Sequence, residues 1–135
     1  MNSDSADQQE SATLELVLFK AGQHRFGVEA SRIRSSGILP DYAIPSIEPL
    51  LSLPGGESGR HRLCLTVKGR NQDFELSVEA PLELCALPLE TIHPLPAAVT
   101  AVCTLPGLRA LALIETSLIL LVDLNALLAI VEDCP

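Results

Sequence analysis

At 135 residues the chain has room for one compact domain, or for two very small ones built on a common core, and none for a second domain of ordinary size. Hydrophobic residues make up 47% of it and aromatic residues only 3%, so the core must be filled by Leu, Val, Ile and Ala rather than by rings. A net charge of -8 excludes nucleic acid and anionic membranes as natural partners, because both demand clustered positive charge.

In chain order, residues 1–12 read MNSDSADQQESA, with neither the basic start nor the apolar stretch of a secretory signal. This composition predicts a disordered tail, with the folded domain over 13–135. From Thr13 the hydrophobic period is two, which predicts strands. Leu14, Leu16 and Leu18 alternate with Thr13, Glu15 and Val17; after Ala21-Gly22-Gln23 the pattern resumes with Phe26 and Val28 against Arg25 and Glu29. That is a hairpin signature. Pro40, Pro45, Pro49 and Pro54 then break the region from Leu39 to Gly59 and exclude long helices there. Gly55-Gly56-Glu57-Ser58-Gly59 lacks the lysine and following apolar helix of a phosphate loop, and reads as a flexible connection.

A second hairpin places Leu63, Leu65 and Val67 on one face, turns through Gly69 to Gln72, and returns with Phe74, Leu76 and Val78. Arg62, Cys64, Thr66, Lys68, Asp73, Glu75, Ser77 and Glu79 are expected on the other face, with opposite charges meeting across the ladder. After the prolines at 81, 88, 94, 96 and 106, two nearly continuous apolar runs, Leu108–Ile114 and Leu118–Val122, flank Glu115-Thr116-Ser117. They read as strands buried on both faces at the centre of the fold. Leu124, Leu127, Leu128 and Val131, spaced as on a helix behind Asp123, predict one short C-terminal helix. Arg109, Glu115, Asp123 and Asn125 interrupt this apolar stretch too often for a membrane span. No internal repeat is evident.

Charge is unevenly distributed. Residues 13–70 carry eight basic and five acidic side chains, whereas 71–135 carry one and nine, so the two segments predict opposite poles if they form separate surfaces.

Little here points to catalysis. Cys64, Cys85, Cys103 and Cys134 form no CxxC pair and have no histidine at ligand spacing, so they read as free thiols in a reducing cytoplasm. His24, His61 and His93 are scattered. Ile114-Glu115-Thr116-Ser117 echoes the Asp-Thr-Gly turn of aspartic proteases, but Glu115 replaces the aspartate and Ser117 the glycine on which the paired-carboxylate geometry depends. No Gly-x-Ser-x-Gly elbow occurs. Neither enzyme activity, cofactor nor metal is expected.

Three segments carry a family resemblance. Leu16-Val17-Leu18-Phe19 with Phe26-Gly27-Val28-Glu29, the run from Phe74 to Leu84 followed by Leu89 to Pro96, and Leu108–Leu113 with Leu118–Leu124 and Leu127-Leu128 together resemble the CheW-like domain of chemotaxis coupling proteins. The resemblance implies an all-β fold of two small SH3-like β-barrels sharing a hydrophobic core: 13–59 as a reduced first barrel plus connection, and 60–131 as the second barrel and closing elements. The family's "GvinlRG…PvidL" segment has no counterpart, so the resemblance implies an incomplete first barrel. Ile33-Arg34-Ser35-Ser36 also departs from the usual V-x-E-I string, a serine standing where glutamate is usual. The implied role is a cytoplasmic, non-enzymatic adaptor. Its implied partners are a CheA-type histidine kinase or other CheW-like domains, with a chemoreceptor tip as a further candidate. Ile33, Arg34, Arg109 and Leu111 are the candidate partner-binding residues. The alternative is a self-associating β module completed by homodimerisation.

Overall fold

The first hairpin forms where the alternation and the glycine place it. β1 (Thr13–Ala21) and β2 (His24–Glu29) pair antiparallel from Leu16↔Glu29 to Ala21↔His24 around the turn Gly22-Gln23. Gly22 has φ 62°, the sign required at the first central position of a type II′ turn, which glycine adopts without a Cβ clash. The computed structural model describes residues 12–53, 61–97, 107–124 and 126–127. The remaining elements are β3 (Ile33–Gly37), α1 (Ile47–Leu50), β4 (Arg62–Val67), β5 (Phe74–Pro88), β6 (Ile92–Pro94), β7 (Leu108–Ile114) and β8 (Ser117–Val122).

All eight strands form one mixed sheet in the order β3-β4-β5-β1-β2-β8-β7-β6. The second predicted hairpin is present, with Leu65 opposite Leu76 and Val67 opposite Phe74. One junction is parallel, β2 against β8 through Phe26↔Leu120, and alternation within single strands carries no sign of it. The 15-residue β5 serves two neighbours: its first part pairs with β4 and its second with β1, and Glu79 stands in register with both Arg62 and Lys20.

The connections require this sheet to curl. β2 and β3 lie four strand positions apart, about 19 Å in a flat sheet, yet the 3-10 turn Ala30–Arg32 that joins them reaches only about 8 Å. The same holds for β5 and β6, five positions apart and joined by the 3-10 turn Leu89–Thr91. The two turns have nearly the same backbone. Residues Glu29 and Pro88 enter at φ/ψ -63°/128° and -59°/138°, and Ile33 and Ile92 leave at -100°/126° and -104°/123°. This internal correspondence is geometric and leaves little mark in the side chains.

Two hydrophobic clusters lie on opposite faces of β1. Alternate residues of β1 serve opposite faces: Val17, Phe19 and Ala21 join Phe26, Val28, Leu65, Val67, Leu76 and Val78 in the larger cluster, whereas Leu16 and Leu18 join Leu87, Ala112, Ile119 and Leu121 in the smaller. Ile33 packs on the first and Ile92 on the second. β1 is therefore buried on both sides.

On β2 the smaller cluster is accommodated by an absent side chain. A Cβ at Gly27 would stand 2.9 Å from Leu121 Cδ2, 3.1 Å from Leu18 Cδ2 and 3.3 Å from Ile119 Cγ2. Gly27→Val should overpack the cluster and cost about 1–3 kcal/mol. Urea unfolding followed by far-UV circular dichroism measures this, and an unchanged midpoint would mean that the leucines move aside freely.

Several expectations need correction. β7 and β8 do not form the centre of the fold; β7 is the seventh strand of eight, and Leu113 and Leu118 are 55% and 51% exposed. The central strands are β1 and β2. Nor do the basic and acidic segments form separate poles, because interleaved strands bring them together: Arg25 pairs with Glu83 at 2.8 Å and Arg34 with Asp73 at 2.6 Å. The C-terminal helix begins as expected, Ala126 and Leu127 donating to the Asp123 carbonyl. Its continuation past Leu127, the N-terminal tail before Ala12, the Gly55–Gly59 connection, Cys103 and Cys134 lie outside the described residues.

The polar face of the β4-β5 hairpin is covered rather than solvated. Residues 39–46 cross it, and α1 then inserts Ile47, with Leu51 following, into the larger cluster. The Pro45 carbonyl accepts from the Ser77 N–H at 2.8 Å, and Ser46 bridges to Ser77 in parallel. Beneath this crossing the Glu48 and Arg62 side chains, 3% and 8% exposed, form a two-pronged ion pair: Nη2 to Oε1 at 2.8 Å and Nη1 to Oε2 at 3.2 Å. Arg62 Nε donates to Ser77 Oγ at 2.6 Å and Nη2 to the Ser77 carbonyl at 2.8 Å, so the guanidinium ties α1 to β5.

Candidate interaction surface

A concavity lies on the side of the smaller cluster, where β7 and the first 3-10 turn approach β1 and β2. It is an open groove of about 440 Å³. Leu14, Leu16, Ile92 and Leu121 supply apolar wall, and Gly27 contributes bare backbone. Glu29, Arg32, Arg109 and Asp123 supply its charge. Alternation explains the arrangement: Gly27 and Glu29 share the face of β2 that Phe26 and Val28 leave.

Of the four candidate residues, Arg109 belongs to this groove. It is 65% exposed on β7, with Nε 3.4 Å from Asp123 Oδ2. Leu111 follows on β7, half-buried and in register with Leu120 on one side and His93 on the other. Beyond it the opposed pair Leu113↔Leu118 is exposed, so the hairpin carries apolar surface to its tip.

Ile33 and Arg34 lie elsewhere, on β3 at the first edge of the sheet. Ile33 is half-buried against the larger cluster opposite Val67, and Arg34, 57% exposed, is engaged with Asp73. The structure thus separates the four residues into two pairs on different strands.

Arg32 was not singled out from the sequence, although it immediately precedes Ile33. Its signal is the 3-10 turn, which brings it back over β1 and β2 to share the groove with Arg109.

The remaining polar chemistry is structural. Burial pushes the Cys64 thiol above its ordinary pKa, keeping it protonated and unreactive at neutral pH. Tyr42 donates to Glu75 Oε1 at 2.5 Å, and this bond to a carboxylate raises the phenol. Cys85 is a half-buried free thiol. Glu115-Thr116, the fragment resembling a protease turn, is the exposed two-residue turn between β7 and β8, with Glu115 at φ 54°. Among the described residues no group of three or more His, Cys, Asp or Glu side chains gathers around a point that a metal could occupy, and no helix is long and apolar enough to cross a membrane.

Neither a family model nor a curated protein matches the sequence. The backbone does match a solved structure, the scaffolding protein TtCheW from Thermoanaerobacter tengcongensis. The match has a TM-score of 0.67 at 15% identity and covers 86% of this chain and 92% of that one. The chain therefore has the CheW-like fold that its three sequence segments imply.

Proposed function

We propose that this chain is a non-enzymatic adaptor of a chemotaxis-like signalling system, working in the cytoplasm and docking on the regulatory domain of a CheA-type histidine kinase or on another CheW-like domain. The observation that carries the reading is the CheW-like fold, matched over 86% of the chain to a scaffolding protein. The surface supports it. A groove open to solvent, with apolar walls and a charged rim, suits a protein partner. In this reading the two curled halves are the two small SH3-like barrels of the family, α1 filling the first in place of strands.

Arg109 and Leu111 are the proposed contacts, Arg109 steering at the rim and Leu111 anchoring beside the exposed Leu113 and Leu118. Calorimetric titration against the kinase regulatory domain tests this. The unaltered chain should bind, and Arg109→Glu should weaken binding about tenfold, or 1.4 kcal/mol. A chain that binds neither the kinase domain nor another CheW-like domain sinks the adaptor role; binding indifferent to Arg109→Glu moves the contact away from the groove.

A further inference from the structure

The two ends of the sheet are built differently. β6 is three residues long and finishes at Pro94, with Pro96 just beyond; short length and proline are the ordinary means of blunting an edge. β3 has five residues and no proline before Pro40. Among the described residues nothing pairs with its outer side. Its one irregularity is a register shift between Ile33 and Ser35, which leaves Ser35, Ser36 and Gly37 regularly opposed to Thr66, Leu65 and Cys64. Arg34, the charge that would deter a neighbour, is neutralised by Asp73 at 2.6 Å. Immediately past the strand Ile38 is 89% exposed, the most exposed large hydrophobic residue described.

We propose that β3 is a self-association edge, pairing antiparallel with β3 of a second copy about a two-fold axis at Ser36. An exposed edge offers backbone donors and acceptors that only another extended strand satisfies in series. The sequence suits its own reverse. About Ser36, Ser35 of each copy lies opposite Gly37 of the other, with no bulk to clash, and Arg34 is brought to Ile38 of the other copy. The register shift turns Arg34 to the face of Ser35 and Asp73, away from that of Ser36, and the two arginines stay on opposite sides of the axis. A two-fold axis through a directly opposed pair also preserves which side of the sheet each side chain faces. The interface is small, so the dimer is weak. Each chain carries a net charge of -8, so added salt screens repulsion between copies and strengthens the pairing.

This inference does not depend on the adaptor reading. Its test is analytical ultracentrifugation of the full chain over a concentration series at low and high salt, joined with disulfide trapping. The chain should pass from monomer to dimer with concentration, more readily at high salt. Ser36→Cys should form an intermolecular 36–36 disulfide, located by peptide mass spectrometry, because directly opposed residues on antiparallel strands fall within bridging distance. Glu90→Cys, exposed but away from β3, should not cross-link at a comparable rate. A chain monomeric throughout the series, or 36–36 trapping no faster than at position 90, overturns the proposal. Dimerisation by a chain that binds neither the kinase domain nor a different CheW-like domain overturns only the adaptor reading, and kinase binding by a strict monomer overturns only this one.

Discussion

Arg62→Met is expected to lower the unfolding free energy by about 3–5 kcal/mol, because it leaves the Glu48 carboxylate buried beneath residues 39–46 without its partner. A domain of this size has only about 5–15 kcal/mol to lose. With a urea dependence of about 2 kcal/mol per molar, the midpoint should fall by about 2 M. The chain has no tryptophan, and its one tyrosine, Tyr42, is 58% exposed, so far-UV circular dichroism is the suitable probe. The double variant Arg62→Met with Glu48→Leu should recover most of the loss, since it removes both charges and leaves apolar groups of similar bulk. The pair's coupling is then read from the double-mutant cycle. A cost below about 1 kcal/mol for Arg62→Met alone would mean that water reaches Glu48 and that the crossing segment does not seal the site.

Phe26→Ala should be about as damaging, at about 3–5 kcal/mol. Phe26 is fully buried, its ring stacked on Phe19 at 5.8 Å between centroids and 17° between planes. With only three phenylalanines in the chain, the larger cluster has few bulky groups able to close the resulting void. Phe26→Leu should cost less than about 1.5 kcal/mol, because volume and rotamer are nearly conserved. Thermal and urea unfolding distinguish the two. Equal costs would mean that the position requires an aromatic ring rather than volume.

These effects mark what was legible in the sequence. Two hairpins could be read from period-two alternation, β1-β2 and β4-β5, and β7 and β8 could be read as strands from their apolar runs, because these are local signals. So was the CheW-like fold. Misreadings arose where distant segments meet. The face bearing Arg62, Cys64 and Ser77 is set apart by alternation, but the segment that covers it, residues 39–46, is not. β1 looks one-sided from its leucines alone, yet Val17 and Phe19, on the opposite parity, fill the larger cluster. The apolar runs of β7 and β8 suggested centrality, which apolar content cannot distinguish from an exposed apolar surface at Leu113 and Leu118. Among the candidate residues, Arg109 could be chosen from sequence, but Arg32 could not, because the turn that returns it to the groove is a matter of backbone geometry. Ile33 and Arg34 were chosen together with Arg109, and the sheet order sets them apart.

β1 is a wall between two rooms, furnished alternately on either side. A substitution that keeps size disturbs one room only. Sliding β1 by a single residue against its neighbours is different in kind: it sends the leucines into the larger cluster and Val17 and Phe19 into the smaller, exchanging the contents of both at once. Strand β1 is therefore a reading frame in space, and divergence in length among chains of this design belongs in connections such as residues 38–46.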